Sequence, residues 1–342
     1  MTARRTLQRA WCHGGWRRVL LSALGVCAAL GASVVLGMQA ACSPSCCQGR
    51  KIVRVLAADA LARSMERMEE AFERQNPDVD LRITVEGSVM LLRMHLLHPA
   101  DFVILADSRL IEQGLRPDDA DWLIAFATSE IVIARTEASR YAENVSQANW
   151  PEVLLAPNVT VGHADPAVDP CGYYTRLVWR LAELRYGTRY PNLAQRLAER
   201  SSAKYQRPDA LSVLALLQAR ALDYAFVYRS HAADHHLPYV RLDDEINLGR
   251  PELAQAYGAA EVQVPDYRGK TVTMRGRPIF LGFTIARRAR EPKGAERFAE
   301  FLLSKEGQAI LERSEFQVLR PARAAAWSTR LPASLASLVV RE

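Results

Sequence analysis

Acidic residues are missing from the first 41 positions of the chain, and cysteine is nearly missing from the rest. The first 41 residues contain five arginines, which leaves 39 basic against 38 acidic residues in the remainder of the sequence. This near-neutral balance gives no indication of the basic patch that a nucleic-acid-binding protein needs. Cys171 is the one cysteine after position 47, so the body of the chain offers no partner for an internal disulfide.

Glycine and proline are not enriched, with 18 and 17 among 342 residues, and the sequence has a single long apolar run. The low glycine and proline content excludes a collagen-like or low-complexity protein. One apolar run excludes a protein that crosses the membrane many times. The hydrophobic fraction of 49% and the charged fraction of 24% are ordinary for a globular protein, and the length predicts two domains or one domain of two lobes.

The apolar run, Val19–Met38, follows the five arginines and precedes two alanines, which is the order of a secretory signal. Cys42 comes next and resembles the lipidation site of a bacterial lipoprotein, although Gln39 stands where leucine is usual. An uncleaved membrane helix is the alternative, because 20 apolar residues can span a bilayer. Both interpretations predict a membrane-anchored protein with residues 48–342 in the periplasm or on the outer face of the cytoplasmic membrane.

Short β-branched runs alternate with stretches of helical periodicity throughout the body. Strands are predicted at Lys51–Ala58, Leu81–Val85, Phe102–Ala106, Glu130–Ala134, Leu222–Tyr228 and Pro278–Ile285. Helices are predicted at Leu61–Phe72, Leu177–Leu184 and Pro208–Arg220 and, as one long amphipathic helix, at Ala295–Arg313. The alternation predicts an α/β fold with a mostly parallel sheet.

No linker rich in proline, glycine or serine separates the two expected lobes, so we expect strands themselves to cross between them. Ligands of open α/β folds bind at the carboxyl ends of strands, near helix N-termini, which places the expected site between the lobes. The predicted organisation is a leader (1–41), a tether (42–50), lobe 1 (51–135 with 280–330), lobe 2 (136–279) and a C-terminal tail (331–342).

The segment His163–Tyr174, HADPAVDPCGYY, carries the strongest local signal for a binding site. Asp169, followed by proline, is the residue type preferred as the N-cap of a helix. The backbone N–H groups of Cys171, Gly172 and Tyr173 would then face a cleft, where unpaired N–H groups and the helix dipole attract an anion. The alternative is that Asp169 is only a helix cap.

This segment resembles the motif of the tungstate/molybdate-binding proteins of ABC transporters, and other pieces agree with that family in order and spacing. They are PDVDLRITVEGSV (77–89), ADWLIAFATSEIVIA (120–134), NWPEVL (149–154), LDYAFVYRS (222–230), DDEINLG (243–249) and FLLSKEGQAIL (301–311). The resemblance covers roughly residues 51–315. It implies a two-lobed periplasmic binding-protein fold with two crossover strands, which closes on a tetrahedral oxyanion.

The resemblance also implies how the ligand is held: by serine hydroxyls, backbone N–H groups and two carboxylates that approach the metal centre of the oxyanion. Ser88 matches an anion-binding serine, and Asp169 matches one of the two carboxylates. Cys171, Gly172 and Tyr173 match the motif around that carboxylate. The ligand is then tungstate or molybdate, and the protein itself needs no cofactor and no resident metal.

Four positions depart from the family pattern. Ala60 stands where a serine is usual, Asp59 where glycine is usual, Val227 where the second carboxylate is usual, and Tyr174 where arginine is usual. A lost serine donor removes a hydrogen bond to a charged group, about 1.5–3 kcal/mol. Asp59 would repel the anion unless it is protonated, points away or replaces the missing carboxylate. These four positions therefore leave open which ligand the protein prefers.

Two other constellations have chemical interpretations of their own. His231 and His235 are four residues apart and would share a helical face, as zinc ligands do, with Asp234 or His236 adding a ligand. A solvated helix is the alternative. Cys171 at a helix N-terminus would suit a thiol nucleophile, whereas a lone cysteine in the body is otherwise expected to be a small buried hydrophobe.

The combined prediction is a solute-binding protein, not an enzyme, that delivers tungstate or molybdate to the permease and ATPase subunits of an ABC importer. We expect a monomer that closes about a hinge on its ligand. The alternatives are a diverged solute-binding lipoprotein with another small ligand, and a surface interaction lipoprotein that has lost oxyanion binding.

Overall fold

The computed structural model describes residues 49–341, so the expected leader and the lipidation site at Cys42 lie outside the described residues. No helix within residues 49–341 is long and apolar enough to cross a membrane. The described residues contain fourteen strands: β1 (Lys51–Ala58), β2 (Val79–Glu86), β3 (Phe102–Leu105), β4 (Ile124–Ser129), β5 (Ile131–Arg135), β6 (Val161–Ala164), β7 (Gln206–Arg207), β8 (Tyr224–Tyr228), β9 (Tyr239–Arg241), β10 (Glu261–Pro265), β11 (Thr271–Arg275), β12 (Ile279–Ile285), β13 (Gln317–Ala324) and β14 (Val339–Arg341).

Helices connect most of these strands, and two short 3-10 turns, Asp59–Leu61 and Pro251–Leu253, precede helices. In the described residues the α-helices are α1 (Ala62–Gln75), α2 (Ser88–Leu97), α3 (Arg109–Leu115), α4 (Trp150–Leu155), α5 (Pro170–Tyr186), α6 (Leu193–Arg200), α7 (Ala210–Gln218), α8 (Arg229–Asp234), α9 (Asp244–Asn247), α10 (Ala254–Tyr257), α11 (Pro292–Leu303), α12 (Lys305–Arg313) and α13 (Ala333–Ala336).

The larger sheet has seven strands in the order β14–β13–β4–β12–β3–β1–β2. Helix α1 packs on it because its apolar residues recur at helical spacing, with Met65, Met68 and Phe72 buried. The Phe72 ring meets Phe298 of α11 edge to face, with centroids 5.4 Å apart. Such aromatic contacts add specific geometry to the burial of apolar area, and together they form the core beneath this sheet.

The smaller sheet has five strands in the order β7–β6–β8–β5–β9. Its central strand β8, YAFVY, is buried along its whole length, as expected for a strand covered on both faces. Helix α5 covers one face, where the Trp179 ring lies edge to face with Phe226 at 5.5 Å. Strands β10 and β11 form a separate antiparallel ribbon.

The chain passes from one sheet to the other at Glu130, which alone separates β4 of the seven-stranded sheet from β5 of the five-stranded sheet. The Glu130 carboxylate is buried and accepts hydrogen bonds from Arg229 Nη1 at 3.0 Å, Arg241 Nε at 3.0 Å and Asn247 Nδ2 at 2.7 Å. The chain returns to the seven-stranded sheet where it enters β12. The bounds expected from the sequence put β5 in lobe 1, whereas its pairing with β8 and β9 puts it in the smaller sheet.

Three features of the fold differ from the sequence-based expectation. The sheets are mixed rather than mostly parallel, because β12 runs antiparallel to β3 and β4, and β5 runs antiparallel to β8 and β9. The single helix predicted at Ala295–Arg313 is two helices, since the Ser304 hydroxyl caps the second by accepting a hydrogen bond from the Gly307 N–H. The tail, for which no strand was predicted, contributes β14, which pairs in parallel with β13 at the edge of the larger sheet.

Candidate functional site

Segments that follow strands of the two sheets meet around two carboxyl groups, those of Asp59 and Asp169. Asp59 directly follows β1 of the larger sheet, and Asp169 is the N-cap of α5, which covers the smaller sheet. Both side chains are buried, with exposures of 2% and 0%. Gly87, which directly follows β2, lies so close to Val168 that a Cβ on Gly87 would be 2.7 Å from the Val168 carbonyl oxygen. The two halves of the protein, one built on the seven-stranded sheet and the other on the five-stranded sheet, are therefore in direct contact at the site expected from the sequence.

Backbone N–H groups hold both carboxyl groups in place. The Ala60 N–H donates to Asp59 Oδ1 at 2.8 Å. The Cys171 N–H donates to Asp169 Oδ1 at 2.9 Å, and the Ala210 N–H donates to Asp169 Oδ2 at 3.0 Å. The Gly172 N–H donates to the Asp169 carbonyl oxygen at 3.0 Å. In this structure Asp169 itself thus occupies two of the N–H groups that the sequence pattern assigned to an anion, because it caps the helix.

The carboxyl groups resist ionisation because they are buried and close to one another. Burial, with the charge of Asp209 adding to it, raises the pKa of Asp59 to about 7. Burial and then the charge of Asp59 raise the pKa of Asp169 well above its ordinary value. Among the described residues no lysine or arginine forms an ion pair with the carboxyl groups of Asp59, Asp169 and Asp209. The basic side chain beside Asp59 is His231, whose Nε2 lies 3.6 Å from Asp59 Oδ2. A dianion would meet negative charge here unless it coordinates a carboxylate or a proton accompanies it.

Four buried side chains of the site have polar atoms without a hydrogen-bond partner among the described residues. These atoms are Asp59 Oδ2, both ring nitrogens of His231, and the hydroxyls of Tyr174 and Tyr228. The Tyr228 ring lies 5.8 Å from the His231 ring and 6.5 Å from the Tyr174 ring, centroid to centroid. An unsatisfied buried polar group costs about 1–3 kcal/mol, so this cluster is a candidate binding site for a polar ligand.

Tyr228 and His231 were not singled out from the sequence as ligand-facing residues. Tyr228 lies next to Val227 within the piece LDYAFVYRS, and His231 was considered only as a zinc ligand. Burial, and after it the charge of Asp169, raises the pKa of the Tyr228 hydroxyl well above its ordinary value. Burial lowers the pKa of His231 to about 4, so its imidazole is neutral at physiological pH. Both side chains are neutral hydrogen-bonding groups beside the carboxyl pair.

The remaining residues of the family pattern lie nearby but differ in what they offer. The buried Ser88 hydroxyl accepts a hydrogen bond from the Ala106 N–H at 3.0 Å, which leaves its own proton free to donate. The Ala60 carbonyl oxygen accepts a hydrogen bond from the Ser230 hydroxyl at 3.0 Å. Val227 is fully buried opposite Val132 of β5 and contributes no polar side-chain atom.

Tyr173 connects the two halves of the protein. Its hydroxyl donates to Asp107 Oδ2 at 2.6 Å, and Asp107 lies just after β3 of the larger sheet. Although burial opposes ionisation, the charge and hydrogen bonds of Arg109 hold the pKa of Asp107 well below its ordinary range. Arg109 donates from Nη2 and Nε at 2.7 and 3.0 Å. The contact therefore joins a buried carboxylate of one half to a hydroxyl of the other.

The Cys171 thiol is buried and points to the Phe226 carbonyl oxygen at 3.8 Å. Burial, with the charge of Asp169 adding to it, raises the pKa of this thiol well above its ordinary value. Since the thiolate is the nucleophilic form of cysteine, this side chain has the character of a structural hydrophobe.

The zinc hypothesis lacks a set of ligands in the part of the chain that the structure describes. No group of three or more His, Cys, Asp or Glu residues there could hold a metal ion. His231 faces Asp59, whereas Asp234 accepts a hydrogen bond from the Ser314 hydroxyl at 2.8 Å. Helix α8 ends at Asp234, so His235 and His236 do not continue a helical face.

Residues 53–317 match the family of bacterial extracellular solute-binding proteins, which covers well over half of the chain. A solute-binding protein of Petrotoga mobilis is 37% identical over 78% of this chain and 84% of its own length. The molybdate/tungstate-binding protein WtpA of Thermococcus kodakarensis is 33% identical over 76% of this chain and 79% of its own length.

Solved structures with low sequence identity share the fold. The periplasmic molybdate-binding protein of Azotobacter vinelandii superimposes with a TM-score of 0.54 at 15% identity, over 78% of this chain and all of that one. The sulfate-binding protein SubI of Mycobacterium tuberculosis gives a TM-score of 0.57 at 14% identity, over 85% of this chain and 94% of that one. These similarities show a periplasmic binding-protein fold.

The family match, the relatives and the mixed two-sheet fold agree with one another and with the motif around Asp169. Members of this family bind solutes for ABC transporters outside the cytoplasm and are not enzymes. The chain belongs to the bacterial extracellular solute-binding proteins, in the group that includes the molybdate/tungstate-binding proteins of ABC transporters.

Proposed function

We propose that this solute-binding protein binds a tetrahedral oxyanion at the contact between its two halves, around Asp59 and Asp169. The observation that carries the proposal is the cluster of buried polar atoms without partners, on Asp59, His231, Tyr174 and Tyr228. The hydroxyl proton of Ser88, next to Gly87 where that glycine approaches Val168 and Asp169, adds a donor. A bound oxyanion would accept hydrogen bonds from these hydroxyls and from the imidazole.

Tungstate and molybdate are the expected solutes. The support is that relatives from Thermococcus kodakarensis and Pyrococcus abyssi are named molybdate/tungstate-binding proteins. Asp169 would coordinate the metal centre of the oxyanion, and Asp59 would supply the second carboxylate that Val227 does not offer. The distance in sequence between positions 59 and 227 is no obstacle, because Ser230 of the same segment already bonds to Ala60.

Partners and localisation follow from the same proposal. The loaded protein would deliver the oxyanion to the permease and ATPase subunits of an ABC importer. It would act as a monomer at the outer face of the cytoplasmic membrane, held by a lipid on Cys42 or by an N-terminal helix. Release of the solute requires the two halves to separate, with the passages at Glu130 and before β12 as hinges.

A thermal melt of the detergent-solubilised full-length protein tests the proposal. Tungstate, molybdate, sulfate and phosphate are each added at equal ionic strength. A ligand present at a thousand times its Kd adds about 4 kcal/mol of stability, so a true solute raises the Tm by several degrees. We expect this shift with tungstate and molybdate. Equal melting curves with and without every oxyanion would refute the proposal.

A further inference from the structure

A cavity of about 260 Å³ lies against the seven-stranded sheet, outside the site around Asp59 and Asp169. It is lined by α3 and the residue before it, by β4, β12 and β13, and by the segment that follows β13. Gly282 of β12 allows this packing: a Cβ on Gly282 would lie 2.8 Å from Ser108 Cβ and 2.7 Å from Leu123 Cδ1. A larger residue there would displace Ser108 or Leu123, both of which line the cavity.

Arg277 brings to the cavity a positive charge that has no carboxylate partner within residues 49–341. Its side chain is partly buried, and its guanidinium carbon lies 6.0 Å from the centroid of the Phe280 ring, which also lines the cavity. The Asp107 carboxylate is near Arg277 but is held by Arg109, which donates from Nη2 at 2.7 Å and from Nε at 3.0 Å. Because a guanidinium has several N–H donors and no acceptor, an anion would satisfy Arg277.

The other charged side chains around the cavity are also mostly positive. Arg323 of β13 is the register partner of Ala125 in β4, and both residues line the cavity. Of the described residues that line it, Glu112 alone is acidic, and its Oε1 lies 3.8 Å from Arg116 Nη1. The Arg116 guanidinium carbon lies 5.0 Å from the centroid of the Trp327 ring, another lining residue. The cavity therefore combines a net positive charge with an aromatic wall.

We propose that this cavity is a second binding site, for a small organic carboxylate. The planar carboxylate matches the fork of N–H donors on Arg277, and the Ser108 hydroxyl can donate a further hydrogen bond. The hydrocarbon part of the ligand then lies against the rings of Phe280 and Trp327. A tetrahedral oxyanion has no apolar part for these rings. The inference does not depend on oxyanion binding, because no residue that lines the cavity belongs to the site around Asp59 and Asp169.

A comparison of benzoate with benzamide tests this ligand class, because the two have the same shape and only benzoate carries a charge. Both are titrated into the detergent-solubilised full-length protein, and binding is measured by saturation-transfer NMR against a sample of detergent alone. We expect a Kd of about 1 mM for benzoate, an ordinary value for a ligand of this size. Benzamide lacks the hydrogen bond to a charged group, so it should bind at least about tenfold more weakly.

The substitution that tests the assigned cavity is Arg277→Gln, which removes the charge and keeps a polar side chain. It should weaken benzoate binding at least about tenfold. Arg290→Gln is the matched control, because Arg290 is exposed and does not line the cavity, and the hydrogen bond that it donates to Asp101 comes from its backbone N–H. If Arg277→Gln melts well below the wild type, Arg323→Gln makes the same test from β13.

Three results together support the inference: benzoate binds more tightly than benzamide, Arg277→Gln loses this binding while Arg290→Gln keeps it, and saturating tungstate does not displace benzoate. Equal binding of benzoate and benzamide, unchanged binding in Arg277→Gln and Arg323→Gln, or no binding of benzoate up to about 10 mM overturns it. Displacement by tungstate, with loss of benzoate binding in Asp169→Asn, also overturns it, because benzoate would then occupy the site between the two halves.

Discussion

The buried carboxyl group of Asp59 should make the protein less stable as the pH rises, and Asp59→Asn should remove that loss. The pKa of Asp59 is raised from 3.8 to about 7 in the folded protein. At 1.36 kcal/mol per pH unit, this difference corresponds to about 4 kcal/mol between the protonated and ionised forms. The neutral amide of asparagine has no ionised form and pays no such cost.

The sign of the effect follows from the direction of the shift. Below about pH 4 Asp59 is protonated in both the folded and the unfolded chain, so it costs nothing. Between about pH 4 and 7 the unfolded chain releases the proton first, and the free energy of unfolding falls by up to about 4 kcal/mol. Above about pH 7 the full cost is present. Asp59→Asn also removes a charge that raises the pKa of Asp169.

Urea denaturation without added solute, followed by circular dichroism at several pH values, measures this effect. The free energies of unfolding of wild type and Asp59→Asn should agree near pH 4 and differ by up to about 4 kcal/mol near pH 8, with the variant more stable. Asp165→Asn is the matched control substitution, because its side chain accepts only from the Ala167 N–H at 2.9 Å, a bond that asparagine can also accept. A variant that is no more stable than wild type at pH 8, or a difference that does not depend on pH, would refute the reasoning.

Three further substitutions or modifications test other contacts. Tyr173→Phe removes the hydroxyl that bonds to Asp107 across the two halves, and it should lower the free energy of unfolding by about 1.5–3 kcal/mol in urea, whereas Tyr205→Phe should have little effect. Glu130→Gln removes the charge at the passage between the sheets, and it should lower the free energy of unfolding in urea by about 2 kcal/mol. This is less than for a fully buried ion pair, because the arginine partners of Glu130 are partly exposed to solvent. Cys171 should resist alkylation in the native protein and react in urea, as detected by mass spectrometry of its tryptic peptide.

The sequence predicted those strands whose β-branched runs are bounded by turn residues. Strand β1 has the predicted bounds, Lys51–Ala58, because its apolar run ends where Asp59 begins a 3-10 turn. The break at Ser304 was missed, since buried apolar residues lie on both sides of it at compatible helical spacing. Strand β13 was missed because Pro321 argues against a strand; the register shift between Val318 and Arg323 accommodates it.

The site was predictable only where a short motif fixes local geometry. Asp169 was identified because an aspartate before proline caps a helix, and this is the role it has. The contact of Asp59 with His231 joins residues far apart in the sequence and exists only because the two halves meet. Nothing in the local pattern at His231 distinguishes a buried imidazole beside Asp59 from a zinc ligand or a surface residue, so this contact required the tertiary structure.

The proposed function depends above all on Asp169, which is expected to hold an oxyanion at the contact between the two halves. The most direct measurement is titration calorimetry of tungstate into the full-length wild-type protein, Asp169→Asn and the control Asp165→Asn. Asparagine is as good a helix N-cap as aspartate and keeps an acceptor for the Cys171 N–H, but its Nδ2 cannot accept from the Ala210 N–H. A thermal melt therefore checks that the variant keeps its fold. We expect tight binding to wild type and to Asp165→Asn, and binding at least about 100-fold weaker for Asp169→Asn. Equal affinity of wild type and Asp169→Asn for tungstate would contradict it.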